Sequence, residues 1–113
     1  MSAEHKFKLV VVGGGAGGCG TANKFVSKFG PGEVCVIEPA TEHYYQPMWT
    51  LVGGGVKTLE QSVRPMGSLL PREATWLRDS VSSFDPDRCS LTTANGDVVS
   101  YDWLVVATGL TLR

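Results

Sequence analysis

The run Gly13-Gly14-Gly15-Ala16-Gly17-Gly18 puts glycine at the three fixed positions of a GxGxxG turn, Gly13, Gly15 and Gly18. Each position has its own task. The first glycine makes a tight turn off a strand, the second lets the backbone approach a pyrophosphate, and the third lets a helix pack closely on that strand. The helix that follows offers unpaired N–H groups and the positive end of its dipole to the phosphates. Glu38 stands twenty residues beyond Gly18, where a carboxylate can accept hydrogen bonds from both hydroxyls of a ribose. The chemistry implied is the binding of a dinucleotide with a free 2′-hydroxyl. A 2′-phosphate would bring two negative charges together at Glu38.

These groups need a strand, a helix and a second strand to position them. Residues 7–12, FKLVVV, form a β-branched apolar run suited to a strand covered on both faces. Over residues 17–29 the period changes: Ala22, Phe25, Val26 and Phe29 share one helical face. Gly30, Pro31 and Gly32 end that helix. Residues 34–37, VCVI, form a second buried strand closed by Glu38-Pro39. The result is a βαβ unit of the expected size. Residues 40–70 read as a loop region with a short helix near 57–62. Candidate strands follow at 75–81, 90–93, 98–101 and 104–107, with Asn95-Gly96 marking a type I′ hairpin.

Composition narrows the function. The chain has 113 residues and a net charge of −1, with no basic run, so the electrostatic footprint for nucleic acid is missing. No apolar stretch approaches the roughly 20 residues that span a bilayer. Residues 1–8 carry Glu4 and no arginine, so no targeting segment is readable. Cys19, Cys35 and Cys89 have neither CxxC nor metal-ligand spacing, and His5 and His43 lie far apart. Neither a disulfide framework nor a metal site is expected, and no catalytic residue can be named.

After the βαβ unit come an aromatic-rich loop, short strands with a hairpin, and the returning strand Leu104-Val105-Val106-Ala107 ending in Thr108-Gly109. This order resembles the FAD domain of flavoproteins with two dinucleotide-binding domains. The segment VCVIEPATEHYYQPMWTLVGGG, residues 34–55, is similar to a block of the mitochondrial sulfide:quinone oxidoreductases. The similarity runs from the glycine loop through Tyr101-Asp102-Trp103-Leu104. Type II NADH:quinone oxidoreductases and flavoprotein disulfide reductases share the loop and the ATG turn, but not the HYYQPxWTLVG block.

The resemblance implies an α/β, Rossmann-like FAD-binding βαβ unit with an antiparallel β-hairpin insertion, incomplete at its C-terminus. Residues 1–113 then read as the amino-terminal part of an FAD-binding domain. It further implies a mitochondrial inner-membrane flavoprotein that oxidises hydrogen sulfide to persulfide sulfur and passes electrons through FAD to ubiquinone. Membrane docking is expected only through segments absent here. On matching positions it places FAD contacts at Ala16 and Gly17 in the pyrophosphate loop and at Glu38 on the adenosine ribose. It adds the Gln46 amide and the Val81 backbone, the latter beside adenine. Gln46 can equally bond loop backbone. Tyr44, Tyr45 and Trp49 read as packing residues before flavin-stacking ones, and Gly53-Gly54-Gly55 as a close approach to flavin or a plain turn. The family's redox-active cysteine pair matches none of the three cysteines. The chain is therefore expected to be a fragment, inactive alone, with a non-catalytic adenine-dinucleotide module as the other reading.

Overall fold

The computed structural model describes residues 3–110. The leading strand β1 (Glu4–Val12) alternates at its exposed start and is buried without a break over its last four residues. Helix α1 (Ala16–Phe29) follows, then β2 (Val34–Ile37), every residue of which is buried. The three aliphatic side chains of β2, Val34, Val36 and Ile37, each contribute about 1.5–3 kcal/mol on burial. The remaining strands are β3 (Glu42–Tyr44), β4 (Val63–Pro65), β5 (Thr75–Leu77), β6 (Val81–Asp85), β7 (Ser90–Thr93) and β8 (Val98–Val106). Two short helices, α2 (Trp49–Gly53) and α3 (Met66–Leu69), lie in the middle of the chain.

The main sheet has six strands in the order β5-β2-β1-β8-β7-β6. Its first four strands are mutually parallel, and β7 and β6 add antiparallel pairs beside β8. This is the Rossmann-like α/β arrangement with an antiparallel insertion. One face of the sheet, Leu9, Val11, Val34 and Val36, takes the α1 stripe of Ala22, Phe25, Val26 and Phe29. The other face gathers Phe7, Val10, Val12, Cys35 and Ile37 with Leu91 and Val99. Val81 and Leu77 pack on that second cluster, so the antiparallel strands curl over the face that α1 leaves open.

Several expected elements differ. The single strand expected over 75–81 is two strands, β5 and β6, in separate positions of the sheet. Residues 78–80 redirect the chain, with Asp79 accepting the Ser80 N–H at 2.8 Å. The two strands expected at 98–101 and 104–107 are one strand, β8, because β1 pairs with it in a single register from Val98 to Val106. The 40–70 region is more ordered than a loop: β3 and β4 form an antiparallel ribbon. The helical turn expected near 57–62 is a 3₁₀ turn at Leu59–Ser62, closed by a Thr58–Gln61 capping box.

The Asn95-Gly96 hairpin is present but is not type I′. Of the two, Gly96 alone has positive φ, +91°. Its N–H bonds Thr93 O at 3.0 Å, and the Thr93 N–H bonds Asp97 O at 2.8 Å. That is a three-residue loop with glycine in the left-handed position.

Candidate functional site

The glycine loop sits where β1 ends between β2 and β8. Gly13 has φ +108°, and a Cβ there would collide with the Ala107 carbonyl. The first glycine thus both turns the chain and lets the end of β8 close on it; the Ala107 N–H bonds Val12 O at 2.7 Å. A Cβ at Gly18 would collide with the Gly13 carbonyl, which is the close helix–strand packing expected of the third glycine. Gly15 is different: no atom lies within 4 Å of where its Cβ would stand. It faces open space.

The helix end behind this opening is uncapped. Gly15 occupies the N-cap position with no side-chain cap, and the first turn holds no acidic residue. The first internal bond runs from the Cys19 N–H to Gly15 O at 2.8 Å. The N–H groups of Ala16 and Gly17 are therefore free of helical partners, and both residues are exposed. An anion placed here meets unpaired donors and the positive helix dipole, with no carboxylate in the first turn to repel it.

Glu38, half-buried at the end of β2, is held from both sides. Its Oε1 accepts the Gly14 N–H at 2.8 Å, and its Oε2 accepts the Ala40 N–H at 2.9 Å. A carboxylate has about four acceptor positions, so two backbone donors fix its orientation and leave one position on each oxygen. Trp76 supports the strand end, donating its indole N–H to Glu38 O at 3.0 Å. A cleft of about 290 Å³ opens beside Glu38, lined also by Val12, Gly13, Ile37, Pro39 and, from across the chain, Asp79, Val81 and Thr108. Val81 is at a β-bulge: it pairs with Thr93 while Ser83 pairs with Thr92, leaving Ser82 unpaired. The extra residue turns the start of β6 toward the cleft.

The fold thus brings Gly13, Gly15, Ala16, Gly17, Gly18, Glu38 and Val81 to one end of the parallel sheet. That is the end where open α/β sheets bind ligands. Gln46 is exposed at the start of a 3₁₀ turn, Gln46–Met48, and lines neither of the two main clefts. Tyr44, Tyr45 and Trp49 are exposed at 39%, 52% and 43%, so none is a core residue. Tyr44 and Trp49 meet edge-on at 6.1 Å. The Gly53-Gly54-Gly55 run ends α2, with Gly55 at φ +80°.

Gly14 is the residue that motif spacing passes over. Its N–H goes to Glu38, and its carbonyl accepts the Cys19 thiol at 3.0 Å and His43 Nδ1 at 3.1 Å. A Cβ on Gly14 would stand 2.8 Å from Glu38 Cγ and 3.0 Å from Met66 Sδ. The signal is a glycine in the middle of three, at a position that GxGxxG leaves free.

The cysteines are free thiols. Burial, and secondarily the Glu38 charge, pushes the Cys19 thiol up. Burial pushes Cys35 up to about 12, so it stays protonated and inert. Cys89 is exposed in a left-handed conformation, φ 49°. No cluster of metal-ligating side chains occurs among the described residues, and no helix there is long and apolar enough to cross a membrane.

Residues 7–113 match the family model described as pyridine nucleotide-disulphide oxidoreductase. The chain is 45% identical over 106 residues to a mitochondrial sulfide:quinone oxidoreductase of Dictyostelium discoideum, covering 93% of this chain and 24% of that one. To the Mus musculus protein of the same name it is 39% identical over 111 residues, covering 98% and 25%. Its backbone superposes on the crystal structure of sulfide:quinone oxidoreductase from the hyperthermophilic bacterium Aquifex aeolicus with a TM-score of 0.78. That match is at 26% identity and covers 95% of this chain and 25% of the other. The chain spans about a quarter of the length of the curated relatives it matches.

Proposed function

The chain belongs to the pyridine nucleotide-disulphide oxidoreductase family, and within that family we propose that it holds the adenosine-diphosphate half of the FAD site of a sulfide:quinone oxidoreductase. The family and its sulfide:quinone oxidoreductase members are FAD-binding flavoproteins. One observation carries the reading: a single hydrogen bond, from the Gly14 N–H to the Glu38 side chain, joins an open pyrophosphate loop to a ribose-type carboxylate.

The residues fit the cofactor. The free N–H groups of Ala16 and Gly17 hold the pyrophosphate, and Gly15 admits its close approach because no atom stands in the way. The open acceptor positions of Glu38 take the ribose hydroxyls. Adenine enters the cleft between Glu38 and Val81, where apolar walls from Ile37 and Val81 exclude water from its face. When bound, FAD supplies the two-electron chemistry that links sulfide oxidation, giving persulfide sulfur, to ubiquinone reduction. This chain's own part is binding and orientation: it fixes the cofactor's adenosine end on a rigid sheet. Residues 1–113 form the amino-terminal part of the FAD-binding domain in this reading. The mitochondrial names of two relatives support a place in that organelle; the inner membrane is part of the same proposal.

The test is electron transfer by the native protein carrying this sequence, supplied with FAD and a short-chain ubiquinone. Quinone reduction that depends on sulfide and ignores NADH is expected. Reduction driven by NADH and indifferent to sulfide would assign it to the NADH:quinone branch of the same fold.

A further inference from the structure

His43 is the one histidine of the β3–β4 ribbon, and it is only 7% exposed, between the exposed Glu42 and Tyr44. Its Nδ1 lies 3.1 Å from the Gly14 carbonyl oxygen. A carbonyl has no proton to give, so the hydrogen is on Nδ1 and the histidine donates. No buried side-chain polar atom among the described residues lacks a partner, and Nδ1 is the His43 atom with a hydrogen bond. His43 lines a cleft of about 210 Å³ with Ser62 and Arg64.

The bonded oxygen belongs to the peptide unit that joins Gly14 to Gly15. A peptide unit is planar and trans, so its C=O and N–H point in opposite directions. Two donors pin the oxygen inward: His43 Nδ1–H and the Cys19 thiol, at 3.1 and 3.0 Å. The same unit must then turn the Gly15 N–H outward, on the side where Gly15 is exposed and no atom crowds its Cβ position. Donation to the carbonyl also polarises the peptide and makes that N–H a better donor.

We propose that His43 is a positioning residue of the phosphate loop: its Nδ1–H tautomer holds the Gly14–Gly15 peptide so that the Gly15 N–H faces the bound pyrophosphate. This rests on the cofactor site assigned above. It gives the HYYQP block a physical task, since the ribbon inserts one side chain beneath the loop and clamps it from behind.

The experiment uses the full chain with ADP as the probe. Side-chain ¹⁵N spectra of the parent are expected to show hydrogen on His43 Nδ1; hydrogen on Nε2 with Nδ1 bare overturns the proposal. His43→Phe keeps a ring but removes the donor, whereas His43→Asn keeps an amide N–H near the Nδ1 position. The Phe variant is expected to lose about tenfold in ADP affinity, the scale of one hydrogen bond, and to shift the Gly15 amide resonance. The Asn variant is expected to stay within about twofold of the parent. Equal affinities for the Phe variant and the parent overturn the proposal. Failure of the parent itself to bind ADP removes the cofactor-site reading instead, and the tautomer still reports on the clamp.

Discussion

The Gly14 N–H donates to Glu38 Oε1 at 2.8 Å across twenty-four residues of chain. Through this bond the turn that follows β1 sets the orientation of the carboxylate that ends β2. Both ends are held by further hydrogen bonds. The Gly14 carbonyl is taken by Cys19 and His43, and the second Glu38 oxygen by Ala40. The proposed phosphate loop and ribose acceptor are therefore tied together, which preorganises them for a ligand that spans them.

Gly14→Ala tests the tightness of that joint. The new methyl would stand 2.8 Å from Glu38 Cγ and 3.0 Å from Met66 Sδ. Met66 can bend away, but Glu38 is tethered by two backbone donors. The variant is expected to fold with an overpacking cost of about 1–3 kcal/mol, read from the urea midpoint, and to bind ADP more weakly. Gly18→Ala has no such relief, since its methyl meets the Gly13 carbonyl, and is expected to be the less stable of the two.

Glu38→Ala removes the proposed ribose acceptor together with the acceptor for two backbone N–H groups. ADP binding measured by calorimetry is expected to weaken by about 1.5–3 kcal/mol, the range for a charged hydrogen bond. The parent should discriminate against a 2′-phosphorylated ADP, and the variant should lose most of that discrimination. An unchanged ratio would move the ribose elsewhere.

The three thiols should separate cleanly. Cys89 is exposed, whereas Cys19 and Cys35 are buried. A thiol reagent at pH 8 should modify one cysteine rapidly and the other two only on unfolding. Cys35 has its pKa raised from 9.0 to about 12 in the fold. A thiol that holds its proton more tightly when folded stabilises fully below the unfolded value. Stability therefore falls as pH rises from about 9 towards 12. Cys35→Ala should flatten this alkaline decline in urea midpoints; an identical slope in both proteins contradicts the assignment.

At the hairpin, Gly96 has φ +91° and Asn95 does not have positive φ. Gly96→Ala is expected to cost about 1 kcal/mol or more, because alanine is strained in that conformation. Asn95→Ala should cost much less. Equal costs would restore the type I′ turn that Asn95-Gly96 suggests.

Much of this fold is legible in the residues, for reasons that vary along the chain. VCVI at 34–37 marks its own strand because the sheet covers it on both faces. GxGxxG between a strand and a helix marks the loop because glycine alone escapes the collisions at Gly13 and Gly18. The ribbon of β3 and β4 leaves no such trace. Its strands are three residues each, too short for a period, and their pairing is fixed by contacts distant in sequence, such as His43 with Arg64. The segment TWLRDSV reads as one strand because Thr75, Trp76 and Val81 favour β structure on either side of a turn only three residues long, 78–80. The same limit hides Gly14: its importance lies in what surrounds it, and composition cannot show that.

The most direct measurement is a titration of the chain with ADP, followed by backbone amide resonances. The account predicts that the largest shifts fall on Gly14 to Gly17 and on Val81, and that Glu38→Ala needs at least about tenfold more ADP to reach them. Saturating ADP that leaves these amides unmoved, or shifts residues of the His43–Arg64 cleft instead, would contradict the cofactor site proposed for this family member.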